Sequence, residues 1–265
     1  MDYLFESLDK IKEEIKNKEL FLFLDYDGTL TPIVETPDKA ILSKEAKRIL
    51  ERLTWVAGCR VAIVSGRGLE DIQERVGLKN VIYVGNHGLE AKWPTVSFKA
   101  IVGSENKEIL TRIKMEIFEE LTKNKIDHLL IEDKNCTLSI HYRLVDPKDM
   151  AGLEAMLKKI IDPYVVKKKI KVGLGKKVVE ILPPVEWDKG KAVIWLLDDQ
   201  HYHAENHKIL PIYIGDDLTD ESAFKALEDR GITIMVGNPK VSYAKYYLNN
   251  SDEVLQFLTE IEKIM

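Results

Sequence analysis

Two aspartates stand at the end of an apolar run in "FLFLDYDGTLTPI", residues 21–33. Burying a carboxylate without a partner is costly, so Asp25 and Asp27 need compensation from groups nearby. Three further stretches offer it: "VSGR" (64–67) with Ser65, "WDKGKA" (187–192) with Lys189, and "GDDLTDE" (215–221), which holds four acids in seven residues. Taken singly, "DYDG", "SGR" and "DKG" fit ordinary turns or helix caps. The acids of "GDDLTDE" exceed what a cap needs, and such concentrated charge beside an apolar strand suits a hard cation. Together, Asp25, Asp216, and Asp217 or Asp220 offer oxygens that fit Mg²⁺, which favours a few carboxylates, waters and a substrate phosphate oxygen. Ser65 and Lys189 bring a hydroxyl and an ammonium to phosphoryl oxygens whose charge grows during transfer. The turn at Gly28 and Thr29 lets backbone N–H groups approach the same anion. The chemistry these residue types imply is phosphoryl transfer.

Bringing four distant stretches to one pocket requires a fold that gathers strand ends. Short apolar runs at 20–24 ("LFLFL"), 60–64 ("RVAIV"), 81–85 ("VIYVG"), 209–215 ("ILPIYIG") and 232–237 ("ITIMVG") alternate with helical periodicity, as at Leu69, Ile72 and Val76. Continuous runs of this kind predict strands buried on both faces of a parallel sheet, with helices on either side. Ligands of such sheets bind beyond the carboxyl ends of the strands, where three of the four stretches fall. The middle of the chain reads differently. A helical pattern (Leu110, Ile113, Ile117, Leu121) precedes a hairpin formed by "DHLLIE" (127–132), "DKN" and "CTLSIHY" (136–142). A helix near 147–160 and strands "YVVKKKIKV" (164–172) and "KKVVEIL" (176–182) follow. The expected class is α/β, with a Rossmann-like parallel-sheet core from 1–100 and 188–265 and an inserted, smaller α+β domain at 101–187.

Composition narrows the partners. With 39 basic and 44 acidic residues the net charge is −5, which gives no reason to expect nucleic acid or an anionic membrane. No apolar run approaches the ~20 residues of a membrane span. The N-terminus, with Leu4, Leu8, Ile11 and Ile15 at helical spacing, is unlike a signal peptide. Cys59 and Cys136 are far apart and flanked by strand-like residues, which fits two buried thiols in a reducing, cytoplasmic setting. The histidines of "HYHAENHK" (201–208) place only His203 and His207 at i, i+4 and are not read as a metal site. The basic run at 167–177 is read as a solvated face.

The motif set resembles the haloacid dehalogenase superfamily of phosphatases, and more narrowly the trehalose-6-phosphate phosphatases. The narrower likeness rests on "DYDGTLTPI", "SGR", "GNHGLE" (85–90), "KNCTLSIHYR" (134–143), "KKVVEILPPVEWDKGKA" (176–192) and "GDDLTDESAF" (215–224), spread in the family's order across most of the chain. The resemblance implies that Asp25 is a nucleophile forming an aspartyl-phosphate, and that Asp27 protonates the leaving oxygen and then deprotonates the attacking water. It implies Mg²⁺ on Asp25, Asp216 and the Asp27 carbonyl, with Asp217 and Asp220 ligating directly or through water. Ser65 and Lys189 would complete the catalytic set, with Gly28, Thr29, Gly66 and Arg67 as further substrate contacts. Asn86, His87 and Glu90 from the core, and Lys134, His141, Arg143, Lys176 and Glu180 from an inserted cap that closes over the sugar, would bind the rest. Such a protein takes a small-molecule sugar phosphate, with neither nucleic acid nor membrane as partner, and acts as a monomer. Leu182 stands where the family usually has a basic residue before proline, and related members act on sucrose phosphate or mannosyl phosphoglycerate. A non-enzymatic phosphoacceptor would also join acids, a hydroxyl and a lysine on a parallel sheet. It would need neither Asp27 nor a cap.

Overall fold

In the computed structural model, which describes residues 1–93, 96–100, 102–198, 209–237 and 241–265, the apolar runs form strands covered on both faces. The strands are β1 (Asp2–Tyr3), β2 (Glu19–Leu24), β3 (Cys59–Val64), β4 (Ile82–Gly85), β5 (Glu90–Trp93), β6 (Val96–Lys99), β7 (Leu130–Asp133), β8 (Leu138–His141), β9 (Lys171–Gly175), β10 (Val178–Leu182), β11 (Ile209–Gly215), β12 (Ile232–Val236) and β13 (Tyr246–Leu248). The helices are α1 (Leu8–Ile15), α2 (Lys44–Leu53), α3 (Leu69–Val76), α4 (Ser104–Asn124), α5 (Met150–Val166), α6 (Lys189–Asp198), α7 (Glu221–Ala226) and α8 (Ser251–Ile264). The chain divides into two compact units, Met1–Lys99 with Trp187–Met265, and Ala100–Glu186.

The first unit holds a nine-stranded sheet in the order β1-β13-β12-β11-β2-β3-β4-β5-β6. Pairs from β1 through β4 are parallel, and β5 and β6 add an antiparallel edge. Side chains of β2 alternate between two cores. Leu20, Leu22 and Leu24 pack with Ile11, Leu50 and Phe257 from α1, α2 and α8, whereas Phe21 and Phe23 pack with Val193 and Phe224 from α6 and α7. That is why "LFLFL" has no polar position: each face of the strand meets a helix layer. The five runs read as parallel strands are all present. The outer strands β1, β13, β5 and β6, two at each side of the sheet, escaped that reading because they are short, and a segment such as "EAKW" carries polar residues on a half-exposed face.

The second unit is an antiparallel sheet in the order β7-β8-β10-β9. Its core joins Ile113 and Ile117 of α4, Leu157 and Ile160 of α5, and Leu138, Ile140 and Ile181 of the sheet. The β7–β8 hairpin turns through Asn135, at φ 68°, as the "DKN" signal implies. One element differs. Residues 164–172 were expected to be a strand, but α5 continues to Val166 and β9 begins at Lys171. Ile160, Ile161 and Tyr164 carry the helical spacing into this core, so tertiary packing overrides the β-propensity of Val165 and Val166, which lie exposed. Cys59 and Cys136 are buried, and among the described residues no disulfide forms. Among the described residues no helix is long and apolar enough to cross a membrane. His203 and His207 lie outside the described residues.

Candidate active site

Parallel register delivers three polar residues to one edge of the sheet. Leu24 of β2 lies opposite Ile214 of β11 and Ile63 of β3, so Asp25, Asp216 and Ser65 each follow the carboxyl end of adjacent strands. The Asp25 N–H donates to the Ile214 carbonyl at 2.9 Å, continuing the ladder one residue past the strand. Lys189 arrives from elsewhere, as the first residue of α6. Asp188 Oδ1 accepts the Lys191 N–H at 2.8 Å, which caps that helix. A Cβ on Gly190 would lie 2.3 Å from the Ser222 carbonyl oxygen, so glycine is what lets α6 approach α7.

The acids and the ammonium meet in a nearly dry cluster. Lys189 is 3% exposed, and its Nζ donates to Asp25 Oδ1 at 2.7 Å and Asp220 Oδ1 at 2.8 Å. Burial pushes the Asp25 carboxyl up; Lys189 pulls it down, Asp220 and Asp216 push it up again, and it stands well above the usual carboxylate range. Burial also opposes the Lys189 charge, but Asp220 and Asp25 outweigh it and hold the ammonium above the ordinary lysine range. Asp220 accepts four hydrogen bonds: at Oδ1 from Lys189 and from the Tyr213 hydroxyl at 2.7 Å, and at Oδ2 from the Asp216 and Asp217 N–H groups at 3.0 Å each. Those fill a carboxylate's acceptor sites. Asp217 Oδ1 accepts the Leu218 N–H at 2.7 Å, and Asp217 and Asp220 also cap each other's backbone N–H groups in a capping box.

Oxygens of Asp25, Asp216 and Asp220 lie within 4.8 Å of one another, and all three residues are buried. Three carboxylates against one ammonium leave net negative charge, and an all-oxygen donor set fits a hard divalent cation. Because Asp220 is already saturated by its hydrogen bonds, the two acids placed to hold such an ion are Asp25 and Asp216. Gly28 makes this packing possible. Its φ is +87°, and a Cβ there would fall 2.0 Å from Asp216 Oδ2. Gly28→Ala is therefore expected to lower catalytic turnover by at least about tenfold while the protein still folds, because the displaced group is Asp216 itself. Comparing turnover with the thermal midpoint checks this, and near-normal turnover would refute it.

The loop at Gly28 and Thr29 differs from the expected anion cradle. The Gly28 N–H donates to the Thr31 carbonyl and the Thr29 N–H to the Tyr26 carbonyl, so both serve the turn. Thr29 Oγ1 is the buried polar atom there that has no hydrogen-bond partner in the protein. Ser65 is buried, and its Oγ accepts the Arg67 N–H at 3.1 Å. The Arg67 guanidinium turns to acids: Nε donates to Asp27 Oδ2 and Nη2 to Asp27 Oδ1, each at 2.7 Å, and Nη1 donates to Asp71 Oδ2 at 2.9 Å. Asn86 and His87 both have positive φ, 49° and 57°, a conformation that non-glycine residues hold at a cost. Backbone bonds from Asn86 N to the Arg67 carbonyl (2.7 Å) and from His87 N to the Ser65 carbonyl (3.1 Å) pin them against "SGR", and the His87 ring lies over Gly66. Asn86 Nδ2 donates to Glu90 Oε2 at 2.7 Å.

In the second unit, Lys134, Glu180 and His141 gather on one face of the sheet. Lys134 and Glu180 are buried with Nζ 3.6 Å from Oε1, Ser139 Oγ reaches both Glu180 oxygens at 2.9 and 2.8 Å, and His141 Nε2 lies 3.2 Å from Glu132 Oε2. Arg143 and Lys176 are exposed, joined by a bond from Arg143 Nη2 to the Lys176 carbonyl at 2.6 Å. Reading the sequence missed Tyr213, Asp71, Glu132 and Ser139 as parts of these clusters. Period-two alternation pairs Ser139 with His141, and i, i+4 spacing pairs Asp71 with Arg75. Nothing marked Tyr213 within its apolar run.

A mostly parallel sheet that brings an aspartate pair, a serine, a buried lysine and an acidic loop to its carboxyl edge defines a haloacid dehalogenase-like phosphatase. Residues 23–252 match the family described as Trehalose-phosphatase. The chain is 36% identical over 264 residues to trehalose-phosphate phosphatase B of Arabidopsis thaliana, covering 96% of this chain and 69% of that one. It is also 36% identical over 258 residues to a probable trehalose-phosphate phosphatase 4 of Oryza sativa subsp. japonica, covering 96% and 68%. The structure of the C-terminal domain of C. albicans trehalose-6-phosphate phosphatase superposes with a TM-score of 0.83 at 29% identity, covering 100% of this chain and 98% of that one. A haloacid dehalogenase-like hydrolase from Bacteroides thetaiotaomicron shares the fold at a TM-score of 0.62 and 19% identity, covering 94% of this chain and 100% of that one. The chain belongs to the trehalose-phosphatase family and is a phosphoric monoester hydrolase.

Proposed function

We propose that this chain hydrolyses trehalose 6-phosphate to trehalose and inorganic phosphate through an aspartyl-phosphate on Asp25. The observation that carries the reading is the Lys189 ammonium 2.7 Å from Asp25 Oδ1 in a buried cluster with Asp216. Asp25 Oδ2 attacks phosphorus, the bond to the sugar oxygen breaks, and Asp27 gives that oxygen a proton. Water then attacks the phosphoryl group, Asp27 takes its proton, and phosphate leaves with Asp25 restored. Lys189 steadies the nucleophile's charge, while Ser65 and Thr29 Oγ1 offer hydroxyls to the phosphoryl oxygens. Asp25, Asp216 and the Asp27 carbonyl would hold Mg²⁺, with Asp217 acting through water and Asp220 orienting the loop. When bound, the cation offsets the repulsion between anionic nucleophile and anionic substrate.

The second unit is read as the cap, with Lys134, Glu180, His141, Arg143 and Lys176 as its sugar contacts, and Asn86, His87 and Glu90 as those of the core. The chain is read as acting as a monomer in the cytoplasm, a reducing setting that suits two buried thiols outside any disulfide. Phosphate release should be measured with Mg²⁺ across a panel of sugar phosphates. The panel includes sucrose phosphate and mannosyl phosphoglycerate because Leu182 replaces a basic residue. Trehalose 6-phosphate is expected to be preferred, with EDTA abolishing turnover and Mg²⁺ restoring it. Equal rates on all sugars would sink the substrate assignment, and turnover indifferent to EDTA would sink the metal.

A further inference from the structure

Asp27 is 44% exposed, yet its carboxylate is held at both oxygens by a guanidinium that is itself 5% exposed. A bidentate fork of this kind fixes the plane of the carboxylate as well as its position. What fixes the fork is on α3. Asp71 Oδ2 accepts from Arg67 Nη1 at 2.9 Å, and Arg75 Nε reaches Asp71 Oδ1 and Oδ2 at 2.9 and 2.8 Å. Arg75 Nη1 donates to the Ala40 carbonyl at 3.2 Å, and Arg67 Nη2 to the Pro37 carbonyl at 2.8 Å. The Tyr26 ring lies 5.4 Å beneath the Arg67 guanidinium, and its hydroxyl donates to the same Ala40 carbonyl at 3.0 Å. Charge alternates along the series Asp27, Arg67, Asp71, Arg75, so each group has an opposite neighbour and the four sum to zero.

We propose that Asp71 and Arg75 are positioning residues for Asp27, acting through Arg67 to set the orientation from which Asp27 exchanges protons. Asp71 and Arg75 are one helical turn apart, on a helix anchored by buried Ile72 and Val76, so the series ends on a rigid element. The fork takes one acceptor site on each Asp27 oxygen, and each oxygen keeps a second for the leaving group or water. Without Asp71, Arg67 keeps its ion pair but loses the partner that holds its Nη1 edge, and the carboxylate plane turns with it. Proton transfer is sensitive to such misplacement, whereas binding of a phosphate elsewhere in the site is not.

The inference rests on the reading of Asp27 as the acid–base group, and the experiment separates the two. In the full chain with Mg²⁺ and trehalose 6-phosphate, Asp71→Asn is expected to lower kcat about tenfold with KM within about twofold. Asp71→Glu, which keeps a carboxylate for both arginines, recovers most of that loss, and Arg75→Gln shows a smaller fall of the same kind. Thermal unfolding confirms that each variant is folded, and should Asp71→Asn fail that check, Arg75→Gln carries the comparison. Asp27→Asn serves as control, with a loss of about a hundredfold or more. If Asp27→Asn retains activity, the acid–base reading falls and the inference with it. If Asp27→Asn is inactive while folded Asp71→Asn and Arg75→Gln match the parent, or raise KM instead of lowering kcat, the positioning role alone is overturned. Equal losses in Asp71→Asn and Asp71→Glu overturn it too.

Discussion

Asp25→Asn is expected to abolish phosphate release, by on the order of 10⁴-fold or more, and to leave the fold intact. An amide cannot form the acyl phosphate of the proposed two-step route, which is then closed at its first bond. The fold survives because Asn keeps the shape of Asp and an oxygen for Lys189, which retains its bond to Asp220 at 2.8 Å. The native carboxyl is held where burial works against its charge, so an uncharged replacement relieves a desolvation cost. The thermal midpoint is therefore expected to stay level or rise while turnover disappears. A variant that releases phosphate within tenfold of the parent removes Asp25 from the nucleophile's role.

Lys189→Met is expected to fail differently, losing both stability and rate. Its side chain is 3% exposed and supplies the cation between Asp25 and Asp220, so its removal leaves two buried carboxylates facing each other. Removing one partner of a buried ion pair destabilises by about 3–5 kcal/mol, in contrast to Asp25→Asn, which removes a charge and leaves a neutral group. Turnover is expected to fall on the order of 10³-fold, because in the proposed reaction the same ammonium offsets the charge of the attacking carboxylate. Urea titrations with and without Mg²⁺ check the stability arm. The cation is expected to recover part of the loss in Lys189→Met by binding the acids left unpaired. A variant as stable as the parent in the absence of Mg²⁺ would show that the ammonium does not balance this cluster.

How far the chain could be read before folding depends on the range of the interaction involved. The strands of the parallel sheet were legible because "LFLFL" and its counterparts are buried on both faces, a condition written into consecutive residues. Asp25, Ser65 and Asp216 were legible as a group for a related reason: each directly follows such a strand, and parallel strands end on one edge. The boundary of α5 was not, since Val165 and Val166 favour a strand locally and the core contacts of Ile160, Ile161 and Tyr164 decide otherwise.

Side-chain pairing across long separations left no mark in the order of residues. Asp217 and Asp220 look alike in "GDDLTDE", but Asp220 is filled by Lys189, Tyr213 and two backbone N–H groups, while Asp217 caps its own turn. Arg67 was expected among the substrate contacts, and its guanidinium grips Asp27 and Asp71. The class of chemistry followed from residue types at strand ends, because hydrophobic patterning and strand direction are local properties. Which carboxylate each cation serves depends on distances of about 3 Å between residues up to 164 positions apart, and those distances exist only after the sheet has assembled.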